Sequence, residues 1–322
     1  MSFRDAQGRR RQQARKRRAR TWRARLVALA SLLAVAAIVV VAVVGTTSGS
    51  GSSSAKHGSS ASATNKPAST KSSPQSSQAA TAAVPILIYH VINVAPASTS
   101  LSPSLYVPAD EFTSQMDALK SGGWHAVTLD QLEAHWTHGT SLGSGKPIVI
   151  SFDGGYASQY TTALPVLKRL GWVGVLNLEL DGLSPSDGGL NEDQVHALVS
   201  AGWELDTQGI GATDLTTLSP AEARSEVAEA RQTLRSRYGV PGNWFSYPLG
   251  HYDPTVIAAV QAAGFVGATT VLSGWASPGQ DRFRLPRLQV LGGTSSSQLL
   301  SQVDSAKSSA PPPASYTGSS TT

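Results

Sequence analysis

The sequence predicts an α/β fold with a mainly parallel sheet, most simply a (β/α) barrel, between residues 84 and 304. Short β-branched runs alternate with amphipathic segments over this region, and each strand–helix unit takes about 25–35 residues, as expected for β-α repeats. The chain contains no cysteine. A disulfide framework and a thiolate metal site are therefore excluded.

A basic and then apolar region precedes this domain. Residues 1–25 hold 11 Lys or Arg and one Asp, a net charge of +10, so the rest of the chain carries −5. Residues 26–45 carry no charge, and a helix of that length spans about 30 Å, the thickness of a bilayer core. We predict a basic cytoplasmic tail over 1–25 and a transmembrane helix over 26–45, with the domain outside the cytoplasm. A cleaved signal peptide is the alternative, although its apolar part is usually about 7–15 residues long.

Two further segments lack the apolar periodicity that a packed core requires. Residues 46–83 are rich in Ser, Ala and Thr, which predicts a flexible linker. Residues 305–322 include three consecutive prolines and are predicted to form a disordered tail. The mildly acidic remainder of the chain argues against nucleic-acid binding by the folded part.

The strands and helices of the domain can be predicted in order. Phe112, Met116 and Leu119 share one face, which predicts a helix over Asp110–Lys120. A capping box with Pro at the first helical position begins at Ser219 and predicts a second helix. Strands are predicted over residues 84–90, 126–129, 147–152, 173–180, 203–206, 244–247, 266–271 and 287–291.

The buried face of the second helix is predicted from its spacing. Val227, Ala230 and Leu234 recur at helical intervals. Gly239 and Pro241 are expected to end the helix.

An acid at the end of one strand is the first candidate functional residue. Asp153 follows the apolar run 147–152, and Gly154 and Gly155 break that strand. In α/β proteins, catalytic groups usually lie at the C-terminal ends of strands. The other interpretation is that Asp153 caps a helix beginning near Tyr156.

Several segments resemble known motifs when they are taken together in chain order. They are Val84–His90, with its Tyr-His pair, Ser151–Tyr156, Ala201–Glu204, Asp214-Leu215, Phe245–Gly250 and Leu285–Leu288. This set resembles the polysaccharide deacetylase family, also called the NodB-homology family. The resemblance implies a distorted (β/α) barrel of that type over residues 84–304.

The resemblance also implies a chemistry. Members of this family hold a divalent metal such as zinc with one Asp and two His, and a neighbouring Asp is the general base that activates water against an acetamide. Asp153 corresponds to the base, and Arg287 corresponds to a residue that can pair with it, or form a structural salt bridge. The metal-ligand positions correspond to Gly154, Gln208 and Ala212, none of which has a typical ligand side chain. We therefore predict no metal and no other cofactor.

The resemblance further implies a wall that faces the substrate. Leu249 matches the family position whose backbone N–H is an oxyanion donor. Aromatic rings on such a wall can stack on sugars, with core packing as the alternative. The predicted substrate-binding residues are His90, Tyr156, Tyr247, Pro248, Leu249, Gly250 and His251.

A metal site rebuilt elsewhere is an open alternative. His90 and His251, together with acids such as Asp206, Asp214 and Asp253, are ligand types for zinc. No His follows His251, so the late His that the family uses as general acid has no counterpart.

Three functions are compatible with these observations. The first is a membrane-anchored extracytoplasmic protein of deacetylase fold, catalytically impaired, that binds envelope glycan, peptidoglycan or a protein partner. The second is an active hydrolase that removes N-acetyl groups from envelope or exported polysaccharide. The third is a structural envelope protein without a ligand. Metal content distinguishes the second from the first, and glycan retention distinguishes the first from the third.

Overall fold

The computed structural model describes residues 82–99 and 101–318 of the chain. The predicted cytoplasmic tail, the predicted transmembrane helix and all but the end of the predicted linker lie outside these residues. Among the helices described, none is both long enough and apolar enough to cross a bilayer.

One sheet organises the described part of the chain. Its strands are β1 (Val84–Tyr89), β2 (Trp124–Ala126), β3 (Lys146–Gly154), β4 (Val175–Leu178), β5 (Glu204–Thr207), β6 (Trp244–Ser246), β7 (Gly267–Thr269), β8 (Trp275–Ala276) and β9 (Leu288–Gln289). They lie in the order β7-β6-β5-β4-β3-β1-β8, with β2 beside β3 and β9 beside β1. The pairs are parallel except for β1 with β8.

The sheet curls into a half-barrel. The gap between β7 and β1 is closed only in part. Thr269 of β7 pairs with Leu285, and the two-residue strand β9 pairs with β1. The predicted α/β class and parallel sheet are confirmed, whereas closure is looser than in a regular barrel because these last strands are so short. Strand β8 was not predicted, since two residues carry no periodic signal.

Helices connect the strands and cover the sheet. They are α1 (Ala109–Ser121), α2 (Leu129–His138), α3 (Leu164–Arg169), α4 (Glu192–Ser200), α5 (Pro220–Thr233), α6 (Pro254–Ala262) and α7 (Ser296–Ala306). The capping box predicted at Ser219 is present, with its hydroxyl accepting from the Glu222 N–H. A wide helical turn, Leu234–Tyr238, extends α5 before Gly239 ends it in the left-handed conformation.

The predicted apolar faces form core. Phe112, Met116 and Leu119 on α1 are fully buried. So are Val227 and Ala230 on α5, together with Leu234 in the turn that follows. Spacing alone was therefore enough to orient both helices.

The segment after α7 lies against the domain. The Tyr316 and Tyr252 backbones exchange two hydrogen bonds of 2.8 and 2.9 Å, and the Tyr252 hydroxyl donates to Pro313 O. Arg284 Nη1 donates to Pro312 O. Disorder was predicted from residue 305 onward, but Ser305 and Ala306 complete α7, and Pro312, Pro313 and Tyr316 make these contacts. These residues have few apolar side chains, but their backbone carbonyls accept hydrogen bonds from the domain and Tyr316 pairs with Tyr252. Amino-acid composition does not predict such contacts.

Candidate functional site

The candidate site lies at the C-terminal ends of β3, β4, β5 and β6. In the sheet register, Asp153 on β3 is level with Asn177 on β4, which is level with Asp206 on β5. Residues level with one another on adjacent parallel strands point to the same face. This register brings polar side chains from separate strands around Asp153.

The Asp153 carboxylate accepts hydrogen bonds from four different side chains. Its Oδ1 accepts from Asn177 Nδ2 at 2.7 Å and from Arg287 Nη1 at 2.8 Å. Its Oδ2 accepts from Arg287 Nη2 at 2.8 Å, Gln208 Nε2 at 3.0 Å and Ser246 Oγ at 3.4 Å. A carboxylate offers about four lone-pair positions, so Asp153 has no acceptor capacity left for an incoming proton donor.

Arg287 is equally saturated. Its side chain is fully buried, and two of its N–H groups hold Asp153. The Nε atom donates to Thr270 O at 2.8 Å, Nη1 also donates to Ser151 Oγ at 3.2 Å, and Nη2 also donates to Ser246 Oγ at 2.8 Å. All five guanidinium N–H donors are therefore used inside the protein. The pairing suggested by the sequence is observed, while the catalytic roles of Asp153 and Arg287 remain predictions.

Charge and burial act in opposite directions on these groups. Burial disfavours the Asp153 anion, but the Arg287 charge and the hydrogen bonds outweigh it and hold the pKa of Asp153 below its usual value. Burial lowers the pKa of His90, against the attraction of Asp153, and Arg287 lowers it further. The site therefore contains an ionised acid and a neutral imidazole at pH 7.

The residues at this place do not fit a divalent metal. The side chains that converge on Asp153 all present hydrogen-bond donors, and one is a cation, whereas a metal requires lone pairs. At Gly154, φ is 98° and a side-chain Cβ would lie 2.7 Å from Cε2 of the Tyr156 ring. Within the described ranges, no three His, Asp or Glu side chains are grouped so that they could hold a metal ion.

The proposed rebuilt site does not form either. Asp214 Oδ2 lies 2.9 Å from His251 Nδ1, and His251 Nε2 lies 2.7 Å from Gly318 O. Asp253 caps α6 by accepting from the Val256 N–H at 2.8 Å. His251 is thus held by an acid and by the C-terminal segment, and its assignment to substrate binding stays a prediction.

His90 lies beside the acid and the guanidinium. Its Nδ1 is buried and has no hydrogen-bond partner. Its backbone carbonyl accepts from Gln159 Nε2, which also donates to Asp153 O, each at 2.9 Å. Gln159 thereby fixes the end of β1 against the end of β3. Sequence reasoning missed Gln159 because it lies in a helical turn, three residues beyond the motif Ser151–Tyr156.

The loop after β6 forms one side of the site. Tyr247 is 1% exposed and its hydroxyl donates to Phe283 O, so this ring belongs to the core and does not face a sugar. Pro248 is buried, and Leu249 adopts φ 59°, which a non-glycine residue rarely does. Gly250 has φ 72°, and a Cβ there would lie 2.3 Å from Val271. This turn is a constrained backbone feature at the rim.

A polar cavity lies beside β5 and the segment that precedes β6. Its volume is about 310 Å³, and Asp130, Glu204, Asp206 and Asn243 contribute to its lining. The Trp244 N–H donates to Asp206 Oδ1 at 2.9 Å. None of the four side chains that bond Asp153 lines this cavity.

Comparisons with known proteins agree on one family. Residues 142–268 match the family model described as polysaccharide deacetylase. YxkH of Bacillus subtilis (strain 168), provisionally named a polysaccharide deacetylase, is 28% identical over 226 residues, which cover 70% of this chain and 78% of YxkH.

Solved structures share the fold. The Streptococcus pyogenes deacetylase PplD in complex with acetate has a TM-score of 0.63 and 22% identity, covering 69% of this chain and 99% of PplD. The Bacillus cereus polysaccharide deacetylase BC0361 has a TM-score of 0.61 and 21% identity, covering 69% of each chain. With its motifs in order on this fold, the chain belongs to the polysaccharide deacetylase family.

Proposed function

We propose that this protein binds glycan of the cell envelope and is catalytically impaired as a deacetylase. The observation that carries the proposal is the saturation of the Asp153 carboxylate by Asn177, Gln208, Ser246 and Arg287. A general base must have a lone pair that can reach the water it activates. Here every such position is directed at a protein donor.

The magnitudes favour binding over hydrolysis. A catalytic metal lowers the pKa of its water from 15.7 to about 7, which corresponds to roughly 12 kcal/mol. A general base alone contributes about 10²–10⁴-fold, or roughly 3–5 kcal/mol. Asp153 cannot supply the difference, and its lowered pKa makes it a weaker base still.

The kind of ligand is inferred from the relatives. Their names describe deacetylases, and in two cases deacetylases of polysaccharide. The rim of this chain carries the half-buried Tyr156 beside Gly154, and an aromatic ring of this kind suits the face of a sugar. A protein partner in the same cleft is the other outcome that the binding experiment can reveal.

The location is part of the proposal. The apolar residues 26–45 after the basic residues 1–25 support a single anchor with a cytoplasmic N-terminus and an extracytoplasmic domain. Protease added outside intact cells should then degrade the domain and spare the N-terminal tail. A protein found wholly in the soluble fraction would contradict the anchor.

The deciding experiment measures metal content and activity together. Full-length protein purified in detergent with zinc supplied should hold well below one metal per chain and should release no acetate from N-acetylglucosamine oligomers. Stoichiometric metal with acetate release would instead establish an active hydrolase.

Binding is tested in parallel with the same preparation. Chitin or peptidoglycan beads should retain the protein, and Tyr156→Ala should reduce retention. Arg169→Ala is the matched control, because that side chain lies on the surface and pairs with Asp117. If the beads retain Tyr156→Ala and Arg169→Ala equally, Tyr156 is not part of the binding site. If the beads do not retain the unchanged protein, a purely structural role is favoured.

A further inference from the structure

Two separate segments of the cleft are connected through one residue, Glu179. Gly154 ends β3, while Gln208 and Ala212 lie on the loop that follows β5. These are the positions that the family resemblance assigns to metal ligands, so an ion there would join the two segments. In this chain the Glu179 N–H donates to Gly154 O at 3.3 Å, and Glu179 Oε1 accepts from the Ala212 N–H at 2.8 Å.

The location of Glu179 makes this connection possible. It directly follows β4, the strand between β3 and β5. Its own carbonyl accepts from the Gly182 N–H at 3.0 Å, which holds the loop after β4 in a tight turn. The backbone and the side chain of one residue can therefore reach both neighbouring strand ends.

Backbone hydrogen bonds also join the loop after β4 to the loop after β5, next to the Glu179 side chain. The Leu180 N–H donates to Gly209 O at 3.1 Å, and the Asp181 N–H donates to Ile210 O at 2.6 Å. These two bonds fix the first part of the loop after β5. The Glu179 carboxylate extends that row to Ala212, and a bond from N–H to an ionised carboxylate is stronger than a neutral one.

We propose that Glu179 is a positioning residue that takes over the joining role of a metal ion in the cleft. It holds the end of β3 and the loop 208–213 in a fixed relation, so that the cleft keeps its shape without a cofactor. The effect on ligand affinity rests on the proposed glycan binding, whereas the effect on the loop does not.

Two variants and one control separate positioning from a general loss of charge. Glu179→Ala removes the acceptor for the Ala212 N–H. Glu179→Gln keeps a side-chain oxygen at the same reach and should restore the contact. Asp181→Ala is the control, since it removes an exposed carboxylate from the same loop and keeps its own backbone bond to Ile210.

The primary measurement is amide hydrogen exchange in the full-length protein. Exchange at Ala212 should rise roughly five- to tenfold in Glu179→Ala, as expected for loss of one charge-assisted bond. It should return toward the original rate in Glu179→Gln and stay unchanged in Asp181→Ala. Unchanged exchange in Glu179→Ala, or no recovery in Glu179→Gln, would overturn the proposal.

Affinity for N-acetylglucosamine oligomers is the second measurement. The dissociation constant should increase in Glu179→Ala and recover in Glu179→Gln, in step with exchange at Ala212. If Glu179→Ala speeds amide exchange at Ala212 but leaves the dissociation constant for the oligomers unchanged, the positioning role is overturned. If the unchanged protein binds no oligomer, the proposed function fails, and the exchange rates alone still decide whether Glu179 holds the loop.

Discussion

Replacing Arg287 by Met should be the most destabilising single change at the candidate site. The substitution keeps an unbranched side chain but removes five donors, leaving the Asp153 carboxylate buried without its counter-ion. Both side chains are at most 2% exposed, and the pair is bidentate with both bonds at 2.8 Å. Breaking such a buried pair typically costs about 3–5 kcal/mol. Domains are usually stable by only about 5–15 kcal/mol, so a large part of the stability should be lost.

The assay is urea unfolding of the full-length protein followed by circular dichroism. Arg169→Ala is the control, because its pair with Asp117 is about half exposed and such pairs contribute about 0–1 kcal/mol. Asp153→Asn together with Arg287→Met should cost less than the sum of the single changes, by roughly 0.5–3 kcal/mol. If Arg287→Met lowers stability no more than Arg169→Ala, the pair does not contribute as the geometry implies. The double variant keeps the test informative should Arg287→Met alone fail to fold.

Three other changes test the same structure. Adding EDTA should leave the melting temperature unchanged, because Gly154, Gln208 and Ala212 offer no typical metal-ligand side chain, and a drop of several degrees would contradict this. Gly154→Asp should lower the melting temperature and gain no zinc-dependent rise, because its Cβ meets the Tyr156 ring at 2.7 Å and its φ is 98°. Burial raises the pKa of Glu204 from 4.5 to about 7, so the folded state binds more protons in that range and its stability falls as pH rises through it. Compared with Glu204→Gln, the unchanged protein should lose up to about 3 kcal/mol over this range, and parallel pH profiles would refute the assignment. The difference between the two proteins is the relevant quantity, because the lowered pKa of His90 acts in the opposite direction. This difference belongs to the pair of Glu204 and Asp206, since burial and the nearby Glu204 also raise the pKa of Asp206.

Local signals predicted the elements that depend on local chemistry. The Ser219 capping box and the spacing of Val227 and Ala230 gave one end and the buried face of α5. The Gly154-Gly155 break placed Asp153 at a strand end. These features are encoded within a few residues of one another, so no tertiary information was needed.

Contacts between distant segments were beyond such reasoning. Asn177 reaches Asp153 because of the register between β3 and β4, and nothing in its own neighbourhood marks it. Glu179 holds Ala212 across 33 residues. Tyr247 was assigned to the ligand wall from its motif, yet its ring stacks on Tyr252 with centroids 4.9 Å apart. Motif position gives the strand end but does not decide which way each ring points.

The sequence distance between Asp153 and Arg287 has a consequence for folding during synthesis. The partners are 134 residues apart, and translation at about 5–20 residues per second separates their appearance by on the order of ten seconds. During that interval the nascent β3 carries a carboxylate whose counter-charge has not been made. Strand β1, synthesised first, likewise waits for β8 and β9. The domain can therefore reach its final packing only after Arg287 and β9 have emerged, and a chain that ends before residue 287 would lack the bidentate pair that holds Asp153.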